Sequence, residues 1–240
     1  MNIGDTFAKW KAEHRERRKF GIPSRIPFYD LAAEYLPTNL DATVLDIGPG
    51  EGHFAEHVRL KETFPKYALL EGNNESVSEL LSRGFHAQHY LAPGILPYAK
   101  ESVAYIHLSH IVEHLPYEEL YIFLKEADRV LENGGILVIS TPLLWNRFYD
   151  DLSHVKPYNP SVFINYLTQG RENATQEIIS MSYSVRRLQY RYRAVSEREW
   201  TSRFFVVDVV MRMLFVLRSL LGFRRYIMNG YTLILEKGKN

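Results

Sequence analysis

An apolar run that stops in a cluster of glycines constrains this chain most. Thr43-Val-Leu-Asp-Ile-Gly48 reads as a buried strand. Asp46-Ile-Gly48-Pro49-Gly50-Glu-Gly52 then turns it straight into a helix spanning Glu51 to about Lys61. Glycines let the backbone turn tightly and approach a ligand with no Cβ in the way. The helix start that follows offers unpaired N–H groups. The spacing is G-x-G-x-G. A dinucleotide fingerprint would need its third glycine at position 53, where His53 stands, and the lysine of a P-loop is absent.

The same alternation continues. Tyr67–Glu71 reads as a second strand, Glu75–Arg83 as a helix stopped by Gly84, and His86–Leu91 as a third strand. Val103–Ser109 is a fourth strand. Tyr117–Leu131 carries apolar residues at Leu120, Phe123, Leu124, Ala127, Val130 and Leu131, the spacing of a helix face, with Asn133-Gly134-Gly135 as its stop. Ile136–Thr141 is a fifth strand. Five strands joined by helices predict a parallel, doubly wound α/β sheet. Its ligands should lie beyond the carboxyl ends of the strands. Glu71 stands at such an end, 25 residues beyond Asp46, where an acid accepts hydrogen bonds from ribose hydroxyls. After Pro142 come an aromatic loop to Pro160, a helix over 161–169, a strand over 183–192 and a last strand over 231–237. A long insertion, about 193–230, separates those two strands.

Composition narrows the chemistry. The 240 residues include no cysteine, which excludes disulfides, thiolate zinc sites and iron–sulfur clusters. The first twenty residues lack the apolar stretch of a secretory signal, so a cytoplasmic protein is expected. Residues 1–25 carry seven Lys and Arg against three acids, and residues 171–240 thirteen against six, while 26–170 carry nine against nineteen. Basic ends around an acidic centre suit an anionic partner such as phosphate, nucleic acid or a lipid surface, or are solvated faces.

With these residues in view, the chain resembles the class I S-adenosylmethionine-dependent methyltransferases over roughly residues 40–142. Val44-Leu-Asp-Ile-Gly-Pro-Gly-Glu-Gly-His-Phe54 is similar to their first motif, and Leu69-Leu-Glu-Gly-Asn73 to their second. Leu96-Pro97 with the run from Val103 to Pro116, and Leu131-Glu-Asn-Gly-Gly135 with the strand to Pro142, resemble their later segments. The resemblance implies a Rossmann-like, seven-stranded methyltransferase sheet with a helical insertion (about 194–229) before the last strand. The whole chain, 1–240, would be one domain: an N-terminal helical segment to 40, a cofactor-binding core over 41–142 and an acceptor-side half beyond. The implied cofactor is S-adenosyl-L-methionine, released as S-adenosyl-L-homocysteine. Its implied contacts are Asp46, Gly48, Pro49, Gly50, Gly52, Glu71, Gly72, Asn73, Tyr90, Leu91, Ser109 and His110. The chain departs from the family in His86-Ala-Gln-His-Tyr-Leu91, which lacks the usual adenine-binding acid, so backbone groups, Tyr90 or Gln88 would take that role.

Methyl transfer to a hydroxyl needs alignment and a base. The candidate bases are His53, His110, His114 and His154. His154, in the loop Asp150-Asp-Leu-Ser-His154, is the first candidate and His110 the second. Trp145, Phe148, Tyr149 and Tyr158 are candidates for an acceptor wall. His110-Ile-Val-Glu-His114 also spells an inverted zinc-protease motif. Pro116 cuts that segment short, so no stoichiometric zinc is expected. The expected acceptor is a small molecule or a saccharide, as in polysaccharide biosynthesis. Alternatives are a quinone precursor or lipid at the membrane, or an inactive cofactor-binding scaffold. Nucleic acid is not expected, because no base-methylation tetrapeptide or RNA-binding module is present.

Residues 204–223, FFVVDVVMRMLFVLRSLLGF, are broadly apolar but interrupted by Asp208, Arg212 and Arg218. Three readings stand: a peripheral contact with the inner membrane surface, a surface packed on the domain or in a homodimer, or a lid over the acceptor.

Overall fold

The computed structural model describes residues 3–21, 23–169, 176–195 and 202–238. Its strands are β1 (Val44–Ile47), β2 (Tyr67–Glu71), β3 (Ala87–His89), β4 (Val103–Ser109), β5 (Leu131–Pro142), β6 (Tyr183–Val195) and β7 (Arg225–Lys237). They form one sheet in the order β3-β2-β1-β4-β5-β7-β6. The first five pair in parallel with one another, and β7 runs antiparallel to β5. The helices are α1 (Ile3–Phe20), α2 (Ile26–Ala33), α3 (His53–His57), α4 (Leu60–Thr63), α5 (Asn74–Ser82), α6 (Tyr117–Val130), α7 (Pro160–Ile164) and α8 (Phe205–Leu220).

The central strands are apolar throughout because both of their faces are covered. Leu45, Ile47, Leu70, Ile106, Leu108, Leu137 and Ile139 pack with Leu120, Phe123 and Leu124 of α6. Their alternates Val44, Leu69, Tyr105, Val138 and Ile234 pack with Leu31, Phe54, Val77 and Leu80 from α2, α3 and α5.

Several elements differ from the sequence reading. The first crossover helix is split, because Arg59 takes a left-handed conformation (φ 53°) between α3 and α4. The third strand pairs over only three residues. The helix expected over 161–169 is α7 followed by a π-turn over Asn165–Gln169. β5 starts directly after α6 and absorbs the glycine stop: Val103 pairs with Leu131 and Tyr105 with Ile136, so the intervening residues bulge around Gly134 (φ 86°). β7 begins at Arg225, earlier than its apolar core suggested.

The chain divides into two compact units. Residues 24–190 with 230–240 hold β1–β5, α2–α7 and the cleft described below. Residues 1–23 with 191–229 hold α1 and α8.

Candidate active site

A cleft of about 750 Å³ opens at the carboxyl ends of β1, β2 and β4. The turn after β1 forms its floor. Gly48, Gly50 and Gly52 all have positive φ (74°, 55° and 78°). A Cβ on Gly48 would fall 2.7 Å from Ile111 Cγ1, whereas one on Gly50 would meet nothing within 4 Å. Gly48 is therefore fixed by packing, while Gly50 keeps the cleft open.

Glu71 ends β2 with its carboxylate held from both sides. Oε2 accepts from the Gly50 N–H and Oε1 from the Asn73 N–H, each at 2.9 Å. A carboxylate has lone pairs beyond these two bonds, so it can still accept from a diol in the cleft. Asp46 is fully buried. Its Oδ1 meets His107 Nδ1 at 2.8 Å, and its Oδ2 is buried with no hydrogen-bond partner. Gly72, Tyr90 and Leu91 form one wall, and Pro49, Ser109 and His110 stand around the turn. The Tyr90 hydroxyl donates to Gly94 O, and burial pushes the phenol above its ordinary value, so it stays protonated. Gln88 is exposed and does not line the cleft. Gly52 and Asn73 do not line it either. They cap helices: Gly52 is the N-cap of α3, and Asn73 Oδ1 accepts from Glu75 N and Ser76 N at the start of α5.

The histidines separate clearly. His110 lines the cleft on a left-handed backbone (φ 56°), an uncommon conformation for a residue with a side chain. Its N–H donates to Ser140 O, and its Nδ1 lies 2.8 Å from Glu113 Oε1. Glu113 is fully buried, and its Oε2 accepts from Thr141 Oγ1 at 3.0 Å. Burial pushes the Glu113 carboxyl up. The hydrogen bond and charge of His110 and a backbone N–H outweigh that and hold it below the ordinary value. Against an ionised carboxylate His110 Nδ1 is the donor, which places the ring's basic lone pair on Nε2. His114 also lines the cleft, and its Nδ1 meets Ser153 O at 3.0 Å. His154 does not line it. Its Nδ1 meets Phe148 O at 2.6 Å, and its ring packs against Phe148 and His114. His53 lines the cleft from an exposed position and pairs with Glu51.

The H-x-x-E-H segment forms a single 3-10 turn, Val112–His114, so His110 and His114 do not share a helix face. Trp145, Phe148, Tyr149 and Tyr158 do not line the cleft. Phe148 and Tyr158 are buried in packing, and burial pushes the Tyr158 phenol up to about 12. Arg25 and Tyr29, brought in by α2, line the cleft with no distinguishing signal in the sequence, as do Ala92, Ile111 and Leu115.

Comparison with known proteins decides the family. Residues 12–193 match the family model described as a methyltransferase domain. The chain belongs to this methyltransferase family. Among solved structures, the methyltransferase is similar to a SAM-dependent methyltransferase from Archaeoglobus fulgidus, at 19% identity over 95% of this chain and 99% of that one (TM-score 0.59). It is similar to the YcgJ protein from Bacillus subtilis at 16% identity over 88% and 98% (TM-score 0.58). It is also similar to a SAM-dependent methyltransferase from Methanosarcina mazei at 14% identity over 88% and 98% (TM-score 0.52). At these identities the likeness is one of fold. Comparison with curated proteins finds no match. The cleft of this methyltransferase fits a nucleoside-bearing cofactor: a glycine floor, the Glu71 carboxylate with lone pairs to spare and the unpaired Asp46 oxygen lie along it.

Proposed function

We propose that this methyltransferase uses S-adenosylmethionine to methylate a hydroxyl of a saccharide acceptor, one that is anionic or carried on a lipid. The observation that carries the reading is the His110–Glu113–Thr141 chain of hydrogen bonds, which delivers an oriented imidazole into the cleft. When bound, S-adenosylmethionine supplies an electrophilic methyl group and leaves as S-adenosylhomocysteine. Glu71 would accept from the ribose hydroxyls, and the Gly48–Gly50 turn would let the cofactor's amino-acid end approach the backbone. His110 Nε2 would take the acceptor's hydroxyl proton as the new C–O bond forms. Glu113 would hold the ring in the correct tautomer and balance the imidazolium charge. This assigns the base to His110 in preference to His154, whose ring stands off the cleft. Arg25 on the cleft wall suits a phosphate or carboxylate on the acceptor.

The lipid-linked part of the reading rests on α8. Phe205, Val206, Met213, Val216, Leu217 and Leu220 are all exposed, as are the neighbouring Phe204, Leu221 and Phe223. Residues 1–23 and 191–229 together carry fourteen Lys and Arg against six Asp and Glu. An apolar helix in a basic setting suits the surface of an anionic membrane. A free lipid or quinone precursor as acceptor is the second reading that this helix favours. The test is transfer of labelled methyl into host extract, followed by solvent partition. Label in a lipid-extractable fraction that mild acid converts to water-soluble saccharide supports the reading. Label that stays organic after acid favours the second reading, and no transfer overturns both.

A further inference from the structure

Beside the base, His114 and His154, which the methyl-transfer reading does not use, converge on its positioning residue Glu113. We propose that Glu113, His114 and His154 bind one divalent transition-metal ion. One ligating atom from each lies within 4.8 Å of the other two. The three come from two segments, Glu113 and His114 from the turn after β4 and His154 from the loop after β5, and two backbone bonds join these segments. The N–H groups of Val155 and Lys156 both donate to Glu113 O, at 2.9 and 3.1 Å. The cluster is thus positioned without an ion.

The second observation is how the two rings are held. His114 Nδ1 donates to Ser153 O and His154 Nδ1 to Phe148 O. A ring nitrogen facing a carbonyl oxygen must carry the hydrogen, so each neutral ring keeps its lone pair on Nε2. Metal-bound histidines are oriented in this way, with the other ring N–H given to a carbonyl or carboxylate. Glu113 supplies a buried carboxylate whose bonds to His110 and Thr141 leave further lone pairs. Asp151 Oδ2, 3.9 Å from His154 Nε2, adds negative charge nearby. Two imidazoles and one carboxylate suit zinc, cobalt or nickel over magnesium or calcium. His114 also lines the cleft, so the site borders it. This departs from the expectation that the protein carries no stoichiometric zinc, which weighed only His110 and His114 as ligands. The site actually joins His114 to a histidine from another loop.

The test uses the untagged full chain, stripped with chelator and titrated with cobalt(II) alone. Visible d–d absorption that saturates at one cobalt per chain, and is displaced by zinc, is the expected result. His154→Ala should weaken cobalt binding at least about tenfold and His114→Ala likewise, with circular dichroism confirming that both variants are folded. No saturable absorption in the wild-type chain overturns the site, as does equal absorption in both folded variants. The readout needs neither acceptor nor methyl transfer, so it stands or falls apart from the proposed reaction.

Discussion

Gly48 and Gly50 share a left-handed backbone but differ in what surrounds them, and their alanine variants should differ accordingly. Gly50→Ala adds a Cβ into open space, so it should cost only the backbone penalty, about 1–2 kcal/mol. Gly48→Ala must also push Ile111 aside and should cost clearly more. Urea midpoints of the two variants check the order. His110→Ala should lower methyl transfer by about 10²–10⁴-fold and leave S-adenosylhomocysteine affinity within a few fold. Equal turnover in single-turnover assays would remove His110 from the mechanism. The sequence places His110 and His154 after strands four and five and puts His154 first as the base. It does not show that Phe148 O takes up one ring while Glu113 turns the other toward the cleft. Those choices depend on loop backbone, which carries no periodic signal.

Among the elements, α6 is tied to the loop before β4 by a polar clamp. Glu126 Oε1 accepts from Leu96 N–H at 2.7 Å, and Arg129 reaches both Glu126 oxygens and Leu96 O. The Arg129 hydrogen bond holds the Glu126 carboxyl below its ordinary value of 4.5. A carboxyl with a lowered folded-state pKa stabilises the protein above its unfolded value and loses that contribution as pH falls through the folded one. Glu126→Gln should therefore melt below the wild type at pH 6–7, and the gap should close on acidification below about pH 4.5. A gap that stays constant with pH would contradict the clamp's ionic part. At this scale the sequence is informative wherever burial is two-sided. β2 and β4 match their apolar runs residue for residue, and α6 ends within one residue of its reading. The split at Arg59, the short β3 and the early start of β7 were not legible. Each depends on where a neighbouring element stops rather than on local pattern.

For the molecule as a whole, among the described residues no helix is long and apolar enough to cross a membrane, although α8 exposes an apolar surface. The chain should co-sediment with anionic vesicles, bind less as salt rises, and ignore neutral ones. Leu214→Asp with Leu217→Asp should abolish the binding, and retained binding would show that α8 is not the contact. The doubly wound sheet was legible in the sequence, as was the convergence of Gly48, Gly50 and Glu71 at the strand ends, because the alternating apolar runs fix where each strand stops. The part of the cleft wall made by Arg25 and Tyr29 was not, since they reach it from α2, outside the alternating core. The central claim is that the cleft takes a nucleoside-bearing methyl donor on Glu71. Calorimetric titration of S-adenosylhomocysteine into the wild type and Glu71→Ala tests it most directly. One site per chain is expected in the wild type, with affinity weakened about 10- to 100-fold in the variant. No binding to the wild type, or equal affinity in a folded Glu71→Ala, would contradict it.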